Sequence, residues 1–220
     1  MVSFETKTSR ILVVDDHPIV RHGLSEIINE EENLEVVGEA ESAQQALQDM
    51  ERLQPDLVIV DISLKDSNGL DLIERIKTLH PGVKILVSSI YEESVYAERA
   101  LRSGALGYVN KQASPTSLIS AIHCVLNGKV YLSENQKNVM FQSFINHNSD
   151  NAYSIQHLSN REIEIFEFIG RGKSTREIAD LLNVSVKTIE THRENIKRKL
   201  NIDNTNELIY RAVHWLAQQA

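Results

Sequence analysis

The sequence predicts an α/β domain, a (βα)5 doubly wound parallel sheet, followed by a small all-α domain. Three observations lead there. Over the first 130 residues, short β-branched apolar runs alternate five times with segments of helical period. A polar stretch follows, with Asn146, His147, Asn148, Ser149, Asp150 and Asn151 at its centre. From residue 155 onward only helical signals remain. The domains expected are 1–130, a linker at 131–154 in which residues 135–145 suit a helix, and 155–220.

The five runs are Ile11–Val14, Leu34–Val37, Leu57–Val60, Ile85–Val87 and Gly107–Val109. Near-continuous apolar runs of this kind suit strands buried on both faces of a parallel sheet. Between them, Val20, Leu24, Ile27 and Ile28 share one helical face, as do Leu70, Ile73 and Ile76. Ser42 with Gln45 reads as a capping box, and Ser114-Pro115 sets a cap before a proline at the first helical position. Gly128 ends the last helix of this part. In the second part, Ser159 with Glu162 and Ser174 with Glu177 read as capping boxes, with Gly170 and Gly172 between them. Ser185 and Asn204 cap two further helices, the last running to Gln218.

Composition excludes several classes. No run approaches the roughly 20 apolar residues of a membrane helix, and the first residues lack a basic region followed by an apolar one, so no secretory signal and no membrane association are expected. Cys124 is the only cysteine, which rules out an intramolecular disulfide and suits a cytoplasmic protein. Its apolar helical surroundings favour plain packing. The net charge of −8 is uneven: residues 1–130 carry all of it, while residues 153–220 hold ten Lys and Arg against nine Asp and Glu. The overall acidity therefore says little about what the second part binds.

Ligands of open parallel sheets bind beyond the carboxyl ends of the strands. There the sequence places Asp15 and Asp16, Asp61, Ser88 and Ser89, and Lys111. Clustered carboxylates need compensation, which a hard divalent cation such as Mg²⁺ supplies. An aspartate oxygen can act as nucleophile toward phosphorus, with the metal and a lysine stabilising the equatorial oxygens. A strand-terminal Asp taken singly more often just caps a turn; the conjunction argues for chemistry.

Leu12-Val13-Val14-Asp15-Asp16, Val58-Ile59-Val60-Asp61, Leu86-Val87-Ser88-Ser89 and Gly104 to Lys111 resemble two-component receiver domains across residues 10–130. The resemblance implies Asp61 as phosphoacceptor and Asp15, Asp16, Asp61 and the Ser63 carbonyl as Mg²⁺ ligands. It further implies Ser89 as hydroxyl switch, Tyr108 as an aromatic switch that turns inward on phosphorylation, and Lys111 as the phosphate-contacting lysine. Two positions depart from the common pattern: Lys65 and Gln112 stand where many receivers carry proline.

In the second part, residues 174–182 form a short helix, Asn183-Val184-Ser185 a tight turn, and residues 186–201 a longer helix. Ile189, Ile196 and Leu200 share one face of the longer helix, with Lys187, Thr191, Glu194, Lys197 and Arg198 mostly opposite. A helix-turn-helix has this shape, although a plain helical bundle shares the periodicity. The wording Leu158 to Glu162, Gly172 to Ala179, Leu182 to Ser185, Thr188 to His192 and Asn195 to Leu200 resembles LuxR-type DNA-binding domains. Joined to a receiver, it resembles the NarL/FixJ subfamily of response regulators. That resemblance implies a cognate histidine kinase, double-stranded DNA and a second copy of the chain as partners. Lys187, Thr191 and Arg193 are the candidates for groove contacts, and Arg176, Thr188, Asn195, Lys197 and Lys199 for backbone contacts. Glu190 and Glu194 either accept from cytosine or pair with neighbouring cations; pairing is favoured. Leu208, Ala212, Val213 and Trp215 are candidates for a dimer seam or for the core.

Other classes fit less well. An aspartate-nucleophile phosphatase generally places a second acid two residues after the nucleophile, where this chain has Ser63. A ligand-sensing LuxR-type receptor needs an apolar pocket rather than a charged sheet edge. A receiver that is never phosphorylated leaves the intact acidic set unexplained.

Overall fold

The structure, a computed structural model, describes residues 8–65, 67–146 and 155–217. It divides into two compact units, the first running to Met140 and the second from Phe141. Asp66, the centre of the Asn/Asp/Ser cluster and the end expected for the last helix at Gln218 lie outside the described residues.

In the first unit, β1 (Ser9–Val14), β2 (Leu34–Ala40), β3 (Leu57–Val60), β4 (Lys84–Ser89) and β5 (Gly107–Asn110) form one parallel sheet in the order β2-β1-β3-β4-β5. The alternating helices are α1 (Pro18–Asn29), α2 (Ala43–Leu53), α3 (Gly69–Leu79), α4 (Glu93–Ser103) and α5 (Pro115–Leu126). Ile11, Val13, Leu57, Ile59, Leu86 and Val109 point to one face, where Ile28 of α1 and Leu118, Ile122 and Val125 of α5 cover them. Helices α2, α3 and α4 lie side by side in sequence order. Both faces are thus covered, which is why the strands read as unbroken apolar runs.

Two strands outrun their apolar signal. β2 continues through Gly38 and Glu39 to Ala40, after a register shift between Ile11 and Leu12. Gly38 carries no side chain, and Glu39 accepts the Ser25 hydroxyl, so an edge strand holds two residues that hydropathy marks as a break. β4 continues through Ser88 and Ser89, which stay in the ladder opposite Val109 and Asn110. The Ser42 cap forms, accepting the Gln45 amide, but the reciprocal half of the box does not: Gln45 Oε1 accepts from the Glu41 amide instead. Cys124 is half-buried on α5, with Sγ near the Val130 carbonyl. Tyr131 adds a bridge at Gly107, its amide donating to Leu106 and its carbonyl accepting from Tyr108.

A helix α6 (Glu134–Asn146) and a 3₁₀ turn (Ile155–His157) precede α7 (Asn160–Gly170), α8 (Thr175–Leu181), α9 (Val186–Leu200) and α10 (Thr205–Ala217). Both predicted capping boxes, Ser159 with Glu162 and Ser174 with Glu177, close fully. Their core holds Ile163, Phe166, Ile178, Ile189, Ile196, Leu200 and Leu208. No described helix is long and apolar enough to cross a membrane.

Gly69, the first residue of α3, packs directly on the backbone of Asp61. A Cβ there would lie 1.9 Å from the Asp61 carbonyl oxygen. Gly69→Ala is expected to destabilise the first unit by about 1–3 kcal/mol. An earlier urea midpoint is the expected reading; an unchanged one means that the loop between β3 and α3 yields freely.

Candidate phosphoryl and nucleic-acid sites

The strand order reverses at β1 and β3, and the acidic residues sit at the carboxyl ends of these two strands. The sheet ladder fixes each functional side chain through its own backbone. The Asp15 amide donates to Ala40, the Asp61 amide to Val14 and the Lys111 amide to Ser89. Lys111 Nζ lies 2.6 Å from Asp15 Oδ2 and 2.6 Å from Asp61 Oδ2. Asp15, Asp61 and Ser89 are almost wholly buried. Asp61 Oδ1 and Ser89 Oγ are buried and make no hydrogen bond of regular geometry among the described residues, although Ser89 lies close enough to Asp61 to favour its ionised form.

Burial pushes the Asp61 carboxyl above its ordinary value; Lys111 opposes and Asp15 reinforces the rise. Burial works to lower the Lys111 ammonium, but Asp61 and Asp15 outweigh it and hold it above the ordinary lysine value. One carboxylate oxygen or ring nitrogen from each of Asp15, Asp16, His17 and Asp61 falls within 4.8 Å of the others. An oxygen-rich set with a buried Asp61 oxygen that makes no regular hydrogen bond fits a hard divalent cation. Ser63, on the loop after β3, bridges to Asn68.

Tyr108 is buried in β5, and its hydroxyl donates to the Tyr91 carbonyl at 2.8 Å. Its ring therefore already occupies the inward position. Tyr91 in turn stacks on Tyr96 of α4 at 4.9 Å between ring centroids.

Sequence reading passed over four residues that build this site. The His17 amide donates to Asp15 Oδ1, so Asp15 also closes a local turn just ahead of α1. His17 Nδ1 lies 2.7 Å from Asp16 Oδ1. Arg21 holds the Asp15 carbonyl. Asn68 caps α3 through the Leu70 amide, ahead of Gly69. The Asn-Gly pair was a turn signal; the other contacts have no local signature.

In the second unit, α8, the turn at Asn183 with φ of 51° and α9 form the expected helix-turn-helix. Arg176, Lys187 and Thr191 are exposed. Thr191 Oγ1 donates to the Lys187 carbonyl within α9. The Thr188 and Ser185 hydroxyls share a hydrogen bond at the N-cap. Arg193 is half-buried beside Glu190 and Glu194; burial lowers its guanidinium, and the two carboxylates oppose. Asn195 accepts from Arg198. Lys197 pairs with Glu194 at 2.8 Å, and Lys199 pairs with buried Glu162 at 2.6 Å. Burial works against the Glu162 carboxylate, yet Lys199 and the Ser159 amide outweigh it and hold it below the ordinary value. Of the candidate seam residues, Leu208 and Ala212 are fully buried and Trp215 packs on Phe166, so these serve the core. Ile209, Tyr210 and Val213 are the apolar residues of α10 that face solvent.

Residues 11–123 match the response regulator receiver domain, and residues 156–212 match the bacterial regulatory proteins of the luxR family. The chain is 37% identical to the oxygen regulatory protein NreC of Staphylococcus carnosus over 205 residues, covering 91% of this chain and 94% of that one. It is similar in fold to RcsB of Salmonella enterica serovar Typhimurium bound to promoter DNA in the presence of a phosphomimetic beryllium fluoride, with TM-score 0.62, 27% identity and coverage of 93% and 98%. It also matches RcsB in a structure of two dimers bound to two parallel DNAs, with TM-score 0.57, 28% identity and coverage of 93% and 97%.

The buried pairs make a testable contrast. Lys111→Ala leaves two buried carboxylates without their cation and is expected to cost about 3–5 kcal/mol. Asp61 has a raised folded pKa, so its ionised form weighs against folding once pH exceeds the unfolded value. Asp61→Asn is expected to be more stable than wild type at pH 7, with the gap closing as pH falls toward 4. Urea unfolding across that range checks both signs.

Proposed function

The chain belongs to the response regulators that join a receiver domain to a LuxR-type DNA-binding domain, and we propose that it is switched by phosphorylation of Asp61. The observation that carries this reading is the Asp61 carboxylate itself. Oδ2 is held by Lys111, while Oδ1 is buried and makes no hydrogen bond of regular geometry. One oxygen is thereby fixed and the other is left to act as nucleophile.

In the proposed reaction, an Asp61 oxygen attacks phosphorus of a phosphohistidine on a partner kinase. The new P–O bond forms as the P–N bond breaks, and the electron pair of that bond stays on the imidazole nitrogen. Asp15, Asp16, Asp61 and the Ser63 carbonyl would hold Mg²⁺, which would supply positive charge against the incoming phosphoryl oxygens. Lys111 moves from bridging two carboxylates to contacting a phosphoryl oxygen. The Ser89 hydroxyl, which lies beside the Asp61 carboxylate, donates to another. The chain catalyses this transfer, and the later hydrolysis, only on itself; it acts as a regulator of transcription.

Ser89 ends β4, Tyr91 follows two residues later on the loop, and the Tyr91 carbonyl accepts the Tyr108 hydroxyl. A shift of Ser89 toward the phosphoryl group is thus carried to Tyr108 and to the Tyr91–Tyr96 stack on α4. This face is the proposed route from phosphorylation to assembly. For DNA, the exposed side of α9 with Lys187 and Thr191 is proposed to enter the major groove. Arg176, Thr188, Arg193, Asn195, Lys197 and Lys199 are proposed to contribute to groove or backbone contacts, with Lys197 and Lys199 constrained by their ion pairs. The apolar face Ile209, Tyr210 and Val213 is a proposed seam for a homodimer on two half-sites one helical turn apart. The RcsB dimers bound to DNA support dimeric DNA binding by similarity. A cytoplasmic location accords with a DNA-binding regulator.

Binding of a selected duplex at fixed salt, with and without a small phosphodonor and Mg²⁺, tests the switch. Wild type is expected to bind about tenfold more tightly with donor, and Asp61→Asn to show no change. Equal binding by both proteins in all conditions would overturn control through Asp61.

A further inference from the structure

Two carboxylates project from the exposed side of α9, and they differ in their surroundings. Glu194 Oε1 lies 2.8 Å from Lys197 Nζ, so its charge is already answered within the helix. The Glu190 carboxylate makes no hydrogen bond or close ion pair among the described residues and acts on Arg193 only at longer range. This holds although Lys187 and Arg193 stand three residues away on either side, the spacing at which helix pairs form. Glu190 is exposed, in the first half of the helix, next to exposed Thr191 and one turn beyond Lys187. The N-terminal residues of a recognition helix are the ones that meet base edges.

A carboxylate carried into the major groove faces the phosphates of both strands and loses water. It returns that cost only if it finds a hydrogen-bond donor. Among base edges of the major groove, donors are the cytosine N4 and adenine N6 amino groups. On adenine the donor sits beside the N7 acceptor, which repels the second carboxylate oxygen. Guanine and thymine offer acceptors there, and a carboxylate against them is left repelled and unpaired.

We infer that Glu190 reads a cytosine in the major groove and sets the base preference of the DNA site at that position. Most of the discrimination comes from what the residue rejects, since non-cytosine sites bury an unanswered charge. This inference rests on the DNA-binding reading of α9 and adds the base that α9 demands. Glu194, neutralised by Lys197, leaves base preference alone.

The test selects sites from a random duplex library with the full-length protein, Mg²⁺ and phosphodonor, for wild type, Glu190→Ala, Glu190→Gln and Glu194→Ala. Wild type is expected to select a cytosine at one position of each half-site and to lose about tenfold in affinity when it is replaced. Glu190→Ala is expected to lose that preference while still selecting the rest of the site. Glu190→Gln is expected to move it toward adenine, which glutamine recognises, and Glu194→Ala to keep cytosine. The inference is overturned if Glu190→Ala keeps the cytosine preference and merely binds every duplex more tightly, which marks Glu190 as a repulsive charge only. It is likewise overturned if wild type selects a site with no such cytosine. If wild type selects no sequence at all, the DNA-binding reading itself fails, and the inference falls with it.

Discussion

The first unit is organised around one constraint: an ammonium and two carboxylates held together at the ends of buried strands. Lys111 Nζ sits 2.6 Å from both Asp15 and Asp61. Taking such groups out of water costs several kcal/mol per ion, and the cost is met only where geometry is tight. Parallel ladder bonds from Asp15, Asp61 and Lys111 to neighbouring strands provide that tightness. With Asp16 included, three carboxylates still stand against one lysine. The surplus negative charge suits the site to a divalent cation and makes the arrangement responsive to whatever charge arrives next.

The same constraint explains why the neighbouring polar groups matter. Ser88 and Ser89 stay in the β4 ladder although both are hydroxyl residues, because the strand must reach the level of Asp61. Two residues beyond Ser89, the Tyr91 carbonyl receives the Tyr108 hydroxyl, and the Tyr91 ring rests on Tyr96. A short covalent path thus joins the acidic pocket to an aromatic face on α4 and β5. Gly69 belongs to the same construction, since α3 starts against the backbone of Asp61 itself.

Electrostatics in the second unit is spent largely inward. Glu162, Glu164 and Glu167 of α7 are buried, and Lys199, Arg161 and Arg171 answer them. The Lys199–Glu162 pair ties α9 to α7, while the other two lie within α7 and its C-cap. All three remove cations from the count available to phosphates, so a basic residue in the sequence is no guarantee of a basic surface. His192 lies in this network near Glu162, Arg161 and Lys199, with its pKa lowered by burial.

By itself the sequence determined what depends on local pattern. Near-continuous apolar runs marked five strands, and Ser-x-x-Glu spacing marked two capping boxes that close as expected. The order of strand-terminal Asp15, Asp61, Ser89 and Lys111 identified the pocket, since a parallel sheet gathers its strand ends on one edge. Tertiary structure decided what depends on distance between remote segments. Only packing showed that Gln45 turns away from Ser42 to Glu41, and that Leu208 and Ala212 belong to the core while Tyr210 and Val213 do not. Only packing paired Lys199 with Glu162 and left Glu190 without a close ion pair, because ion pairing follows side-chain reach in three dimensions, and helical spacing alone supplies no more than the opportunity.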